Sequence, residues 1–133
     1  MKIVNEFPPA FDKINNIFSL NKDVIYTFGD TIYNPGNCNI TPDVEAHEEV
    51  HQKQQGDNPT LWWNRYLEDP LFRLNQELEA YQRQYEFFCS VHKDKNRRFK
   101  FLHQLATVCS SGIYGNMIRP NEAMRRIKGQ QKG

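Results

Sequence analysis

Thr41-Pro42-Asp43-Val44-Glu45-Ala46-His47-Glu48-Glu49-Val50-His51-Gln52-Lys53-Gln54-Gln55-Gly56 is the stretch on which the reading of this chain turns. Its ends carry helix signals. Thr41 suits an N-cap, Pro42 the first helical position, Asp43 and Glu45 the positive end of the dipole, and Gly56 the C-terminus. The sequence therefore predicts one helix over 41–56. Inside it, His47-Glu48-Glu49-Val50-His51 matches the HExxH pattern. Four residues make just over one turn, so His47 and His51 leave the same face about 6 Å apart along the axis. Two imidazoles so placed can hold one tetrahedral ion, zinc taking nitrogen at about 2.0–2.1 Å. Glu48 lies about 100° round from His47, close enough to act on water at the ion without being a ligand.

Val44, His47, Val50, Gln54 and His51 are expected to line one side of this helix, and Glu45, Glu49, Gln52 and Lys53 the other. A buried helix normally turns leucines inward. Two valines and two histidines imply that a bound ion supplies what apolar burial does not. An HExxH run can arise by accident, but few accidents would fall on a capped helix with both histidines on its inner face.

Downstream, Gly56-Asp57-Asn58-Pro59 breaks the chain, and Thr60 to Leu67 reads as a short helix whose Trp62, Trp63 and Tyr66 suit a core rather than a ligand platform. Asp69 and Pro70 then open a helix expected to run to about Ser90. Its apolar stripe is Leu71, Leu74, Leu78, Tyr81, Tyr85 and Phe88. Glu77 falls at the border of that stripe, whereas Glu79 points well away from its centre. A carboxylate at the rim of a buried face needs a partner, and an ion would be one, so Glu77 is the expected third ligand. Arg97 to Val108 shows Phe101, Leu102, Leu105 and Val108 at helical spacing, with His92 and His103 as surface or packing residues. Ser110 to Gly115 is a turn-rich break, and Asn121 to Lys128 reads as a last helix stopped by Gly129.

Upstream, residues 2–4 suit a short strand. Pro8 and Pro9 open a helix with Phe11, Ile14, Ile17 and Phe18 as its core stripe, expected to end near Asn21. Val24 to Phe28 and Thr31 to Tyr33, joined by Gly29-Asp30, predict a β-hairpin closed off by Asn34-Pro35-Gly36-Asn37. The second strand of that hairpin, just ahead of the metal helix, reads either as an exposed edge able to pair with an extended peptide or as an ordinary edge stopped by Pro35.

A chain of 133 residues, 38% hydrophobic, fits a single domain over 1–133, with no internal repeat or linker to split it. No apolar run is long enough for a signal peptide or a membrane span, so an intracellular, soluble protein is expected. Cys38, Cys89 and Cys109 are odd in number and without pattern, which argues against a disulfide framework. Cys38 stands ahead of the metal helix and within conceivable reach of the ion, though a small apolar filler is its ordinary role. The net charge of +1 conceals an asymmetry: residues 1–90 carry seven Lys/Arg against fourteen Asp/Glu, and residues 91–133 ten against two. Two mutually attracting solvated surfaces account for this. A basic patch for nucleic acid or an acidic partner is the sharper alternative, disfavoured because no recognised nucleic-acid motif accompanies the charge.

With those residues in place, the chain resembles the gluzincin branch of zinc metallopeptidases in its smallest form, the minigluzincins. The resemblance rests on His47-Glu48-Glu49-Val50-His51 and, 26 residues after His51, Glu77-Leu78-Glu79-Ala80-Tyr81, similar to the ExxA pattern of that group. It implies an α+β fold, mostly helical, with a small N-terminal sheet or hairpin packed on the HExxH helix and a following glutamate helix. It further implies Zn2+ held by His47, His51 and Glu77, Glu48 as general base, and a peptide or protein as substrate. The common pattern has Asp after the small residue, orienting a zinc-bound histidine; Tyr81 stands there instead, and Glu79 remains a fallback ligand. More broadly, Phe-Pro-Pro near the start, Gly-Asp-Thr-Ile-Tyr before the metal helix and Arg-Leu-Asn-Gln-Glu-Leu-Glu-Ala-Tyr after it are similar to small metallopeptidase-like proteins of tailed phages and prophages, which implies the host cytoplasm. Tyr81, Tyr85 and Tyr114 are candidates for an oxyanion donor. The alternative to hydrolysis is a zinc-stabilised domain that binds protein or nucleic acid and cleaves nothing.

Overall fold

The computed structural model describes residues 1–18 and 22–129. Its elements fall into two compact units, one of Met1–Asp69 and one beginning at Pro70. Helices dominate, and the strands are confined to the N-terminal part, the expected α+β composition.

The first unit holds a three-stranded sheet of β1 (Lys2–Val4), β2 (Tyr26–Phe28) and β3 (Thr31–Tyr33) in the order β1-β3-β2. β2 and β3 form the expected hairpin, with Phe28 opposite Thr31, so Gly29-Asp30 is a two-residue turn. Gly29 takes φ +63°, the left-handed value that the first position of a type II′ turn requires and that a side chain resists. β1 joins β3 in parallel, Ile3 opposite Ile32. β3 is therefore the central strand and not an edge, which corrects the reading of it as a free edge for an extended peptide. Both of its hydrogen-bonding sides are taken.

Helix α1 (Phe11–Ile17) lies between β1 and β2. It is shorter than its sequence suggests: Phe18 is extended, at φ −122° and ψ 140°, and the expected end at Asn21 lies outside the described residues. Two turns can press only one residue fully inward. Ile14 is 1% exposed while Phe11 and Ile17 are 45% and 52% exposed, so the four-residue core stripe reduces to Ile14.

Helix α2 (Pro42–Gln55) is the HExxH helix, with Thr41 at the N-cap and Gly56 (φ +55°) at the C-cap, as its boundary residues indicate. The Thr41 side chain makes no capping hydrogen bond. Helix α3 (Pro59–Glu68) follows after Asn58, whose side chain accepts from the Leu61 amide at 3.1 Å. Trp62, Trp63, Tyr66 and Leu67 are its buried face. The Trp62 ring stacks on Tyr66 at 4.8 Å and meets Trp63 edge-on at 5.2 Å, so these rings form a core cluster.

The second unit is a bundle of α4 (Pro70–Val91), α5 (Lys95–Cys109) and α6 (Pro120–Lys128), with a 3₁₀ turn at Gly112–Tyr114 in the connection. Leu74, Leu78, Tyr85, Leu102, Leu105, Ala106, Cys109, Ala123 and Ile127 form its core. On α5 the buried residues are Leu102, Leu105, Ala106 and Cys109, while Val108 is exposed; Asp94 caps the helix by accepting from the Asn96 amide. On α4, Leu71 is 55% exposed, so the stripe starts at Leu74. The same helix buries a second set, Arg73, Glu77, Ala80 and Gln84. Their spacing of four, three and four places them on one face, polar where the first is apolar.

Candidate metal centre

Thr27 on β2 fixes the position of α2. Its carbonyl oxygen receives two side-chain donors, Gln55 Nε2 at 2.7 Å and Trp63 Nε1 at 2.9 Å. The other end of the Gln55 amide, Oε1, accepts from the Gly29 amide at 2.7 Å. One buried glutamine thus bolts the last turn of α2 to the strand and to its hairpin turn, and the α3 indole shares the same acceptor. The Thr27 hydroxyl donates to Glu48 Oε1 at 3.3 Å. Strand β2 therefore holds both the helix and the motif's glutamate.

This network changes which face of α2 is inward. Ala46, His47, Glu48, His51 and Gln55 are buried, whereas Val44, Val50 and Gln54 are half-buried. The expected face is rotated towards Glu48 and Gln55, because the acceptor on β2 lies there. Burying polar side chains is costly unless they are hydrogen-bonded. That condition is met: among the described residues no buried side-chain nitrogen or oxygen lacks a partner.

The two histidines converge. His47 Nε2 and His51 Nε2 stand 3.2 Å apart, with the rings edge to face at 4.8 Å between centroids. Two nitrogens each about 2.05 Å from one tetrahedral ion are about 3.3 Å apart, so this separation suits a shared metal. His51 Nδ1 meets Gln54 Oε1 at 2.8 Å, and Trp62 packs 5.3 Å from the His51 ring. Glu48 Oε2 lies 3.8 Å from His47 Nε2.

His47, His51 and Glu77 are all buried, and one ligand atom from each lies within 4.8 Å of the others, a group that can hold a metal ion. Two imidazole nitrogens and a carboxylate oxygen form a donor set that divalent transition ions accept. The fallback, Glu79, is exposed and outside this group. Cys38 is outside it too: the Asn34 side chain brackets its backbone, with Nδ2 donating to the Cys38 carbonyl at 2.8 Å and Oδ1 accepting from its amide at 2.9 Å.

Of the tyrosines considered as oxyanion donors, Tyr85 and Tyr114 belong to the apolar core of the second unit, and Tyr81 packs against it. Burial, together with a hydrogen bond to Cys89, pushes the Tyr85 hydroxyl up to about 12. His92 packs against Phe88 with ring centroids 4.2 Å apart and planes tilted by 35°, and His103 is exposed; neither belongs to the centre. Thr27, Gln54 and Gln55 are the residues that sequence reasoning did not assign to the site. The only local signal was three glutamines in the last turns of α2, on a helix otherwise short of inward-facing apolar residues.

No family model matches this chain, and neither a curated protein nor a solved structure matches it. Among the described residues no helix is long and apolar enough to cross a membrane.

Proposed function

We propose that the chain is a zinc-dependent peptide hydrolase in which His47, His51 and Glu77 hold the ion and Glu48 is the general base. What supports this reading is the state of Glu48. It is buried and stands 3.8 Å from His47 Nε2, yet the Thr27 hydroxyl holds its Oε1. Structural zinc sites are closed by four protein ligands, whereas catalytic ones use three and keep a position open beside a base. Three ligands and one tethered carboxylate correspond to the second arrangement.

His47, His51 and Glu77 would hold the zinc, which when bound would supply Lewis acidity and make a nearby water acidic enough to ionise near neutral pH. Glu48 accepts a proton as water adds to the peptide carbonyl carbon, and returns one to the amine nitrogen as the C–N bond breaks. His51, fixed by Gln54 and by the Trp62 ring, keeps its Nε2 directed at the group.

The test is metal analysis of the purified chain, with cleavage of a peptide library as the second readout. Glu48→Gln should retain zinc and lose at least about 100-fold in cleavage rate. His51→Ala and Glu77→Gln should lose zinc, while Glu79→Gln keeps it. A wild-type protein free of zinc, or a Glu48→Gln protein that cleaves at the wild-type rate, would overturn the reading.

A further inference from the structure

The charge asymmetry of the sequence is kept in the folded second unit. Residues 70–133 carry twelve Lys/Arg against five Asp/Glu, a net of +7, and all of that excess lies after Ser90. Between Glu86 and Glu122 the one carboxylate is Asp94. It is engaged at the N-terminus of α5, where it accepts from the Asn96 amide at 3.1 Å.

The cations of this unit differ in what they do. Arg98 closes the end of α4, donating from Nε to the His92 carbonyl at 2.6 Å and from Nη2 to the Cys89 carbonyl. Arg126 donates to Asn75 Oδ1 at 3.2 Å, and Arg125 stands 4.0 Å from Glu122. Lys93, Lys95 and Lys100 are exposed, and among the described residues none of them makes an ion pair or a side-chain hydrogen bond. Direct pairing with an acidic surface therefore does not account for these three.

Beside these lysines stands an uncovered ring. Phe99 is 58% exposed and meets no other aromatic ring among the described residues, whereas Phe101 stacks at 4.0 Å on Phe88. Lys95 and His103 lie four residues before and after Phe99, on one strip of α5 (Lys95–Cys109), and Lys100 flanks that strip. We propose that this face of α5 binds single-stranded nucleic acid, with Phe99 as the base-stacking ring and Lys93, Lys95 and Lys100 as phosphate contacts. Unpaired lysines complement a chain of phosphates, and a base laid on the Phe99 ring gains a stacking partner. A duplex meets the lysines but keeps its base faces stacked inside. An anionic bilayer needs an apolar stripe to sink into, and α5 buries its stripe of Leu102, Leu105, Ala106 and Cys109, leaving one ring outside. The inference uses no residue of the metal centre and stands or falls apart from the hydrolase reading.

Fluorescence anisotropy of a labelled oligothymidylate of about 20 nucleotides, titrated with the full chain, tests this. At about 50 mM salt the dissociation constant should be micromolar. Three phosphate contacts give a log–log salt slope of about −2, so about 200 mM salt should weaken binding about 20-fold. Phe99→Leu keeps an apolar side chain and loses the stacking face. It should bind the strand about 5-fold or more weakly, with its affinity for a duplex of the same length unchanged. Lys95→Gln combined with Lys100→Gln should reduce the slope to about −0.7. Arg83→Gln removes a cation already paired with Glu86 at 2.7 Å and should change neither signal. Every substituted side chain is exposed, so the circular dichroism of each variant should match wild type. The proposal is overturned if about 100 μM protein leaves the strand unbound at low salt, or if Phe99→Leu binds it within twofold of wild type. It is equally overturned if Phe99→Leu loses as much affinity for the duplex, or if phosphatidylserine vesicles bind more tightly than the strand and displace it.

Discussion

The Thr27 carbonyl offers a sharp test of how α2 is held, because it has two lone pairs and two side-chain donors. Gln55→Met is nearly isosteric and removes both amide functions. The Gly29 amide then loses an acceptor at 2.7 Å, while the carbonyl keeps the Trp63 indole at 2.9 Å. An orphaned buried donor costs about 1–3 kcal/mol; Gly29 is half-buried, so about 1–2 kcal/mol is expected. Trp63→Phe removes the other donor and some packing, yet leaves the carbonyl bonded to Gln55 at 2.7 Å. Only the double variant strips both donors. Its loss should exceed the sum of the single losses by about 1–2 kcal/mol, the cost of a carbonyl left with no partner. Urea unfolding of the four metal-free proteins measures this. With a urea m-value of about 2 kcal/mol/M, each 1 kcal/mol moves the midpoint by about 0.5 M. If Gln55→Met unfolds within about 0.2 M of wild type, or the double variant is additive, Thr27 is not what fastens the helix.

Three other outcomes are expected. Gly36→Ala should destabilise severely, by about 2 kcal/mol or more in the same assay, because a Cβ there would stand 2.2 Å from the Lys22 carbonyl oxygen, a backbone atom with little room to yield. Cys109, fully buried and with its thiol pushed up to about 12 chiefly by burial and then by the Glu77 charge, should resist iodoacetamide at pH 9, where an exposed thiol is largely thiolate. Mass spectrometry of the labelled chain should find Cys38 modified before Cys109, and Cys109 only on unfolding. Chelation of any bound ion should leave the helical circular dichroism intact, with the melting temperature rising again as zinc is restored; loss of the helical signal on chelation would show that the ion holds the fold.

Much of the fold was legible because its signals are local. The hairpin was marked by Gly29-Asp30 between two β-rich runs, α2 by its proline start and glycine stop, and α6 by its glycine stop, though it begins at Pro120, one residue before the expected Asn121. Parallel pairing of β1 with β3 was not, since nothing in Lys2-Ile3-Val4 says which strand it will meet. Nor was the inward face of α2. Periodicity grouped Val44 and Val50 with the histidines, but the face is set by a backbone oxygen on β2, and Gln55 turns towards it at the expense of the valines. Glu77 was visible as a border residue because reasoning allowed α4 one buried stripe. The helix has two, and Glu77 lies within the polar one, between Arg73 and Ala80, rather than at the margin of the apolar one.

The polar face of α2 also bears on what an ion would do here. A helix with two histidines and few inward apolar side chains suggests that metal supplies its stability. The contacts argue otherwise. Gln55 and Trp63 tie it to β2, Thr27 holds Glu48, and the Trp62–Tyr66 stack backs His51, contacts made by protein groups alone. A domain that depends on zinc for folding has no site until the metal binds. In this chain the two Nε2 atoms stand 3.2 Å apart in a protein framework that supports them. For the hydrolase proposed above, binding energy would then not be consumed in ordering the helix, and the proposed ligands and base would keep their places while substrate charge develops. That is the condition under which preorganised groups stabilise a transition state most.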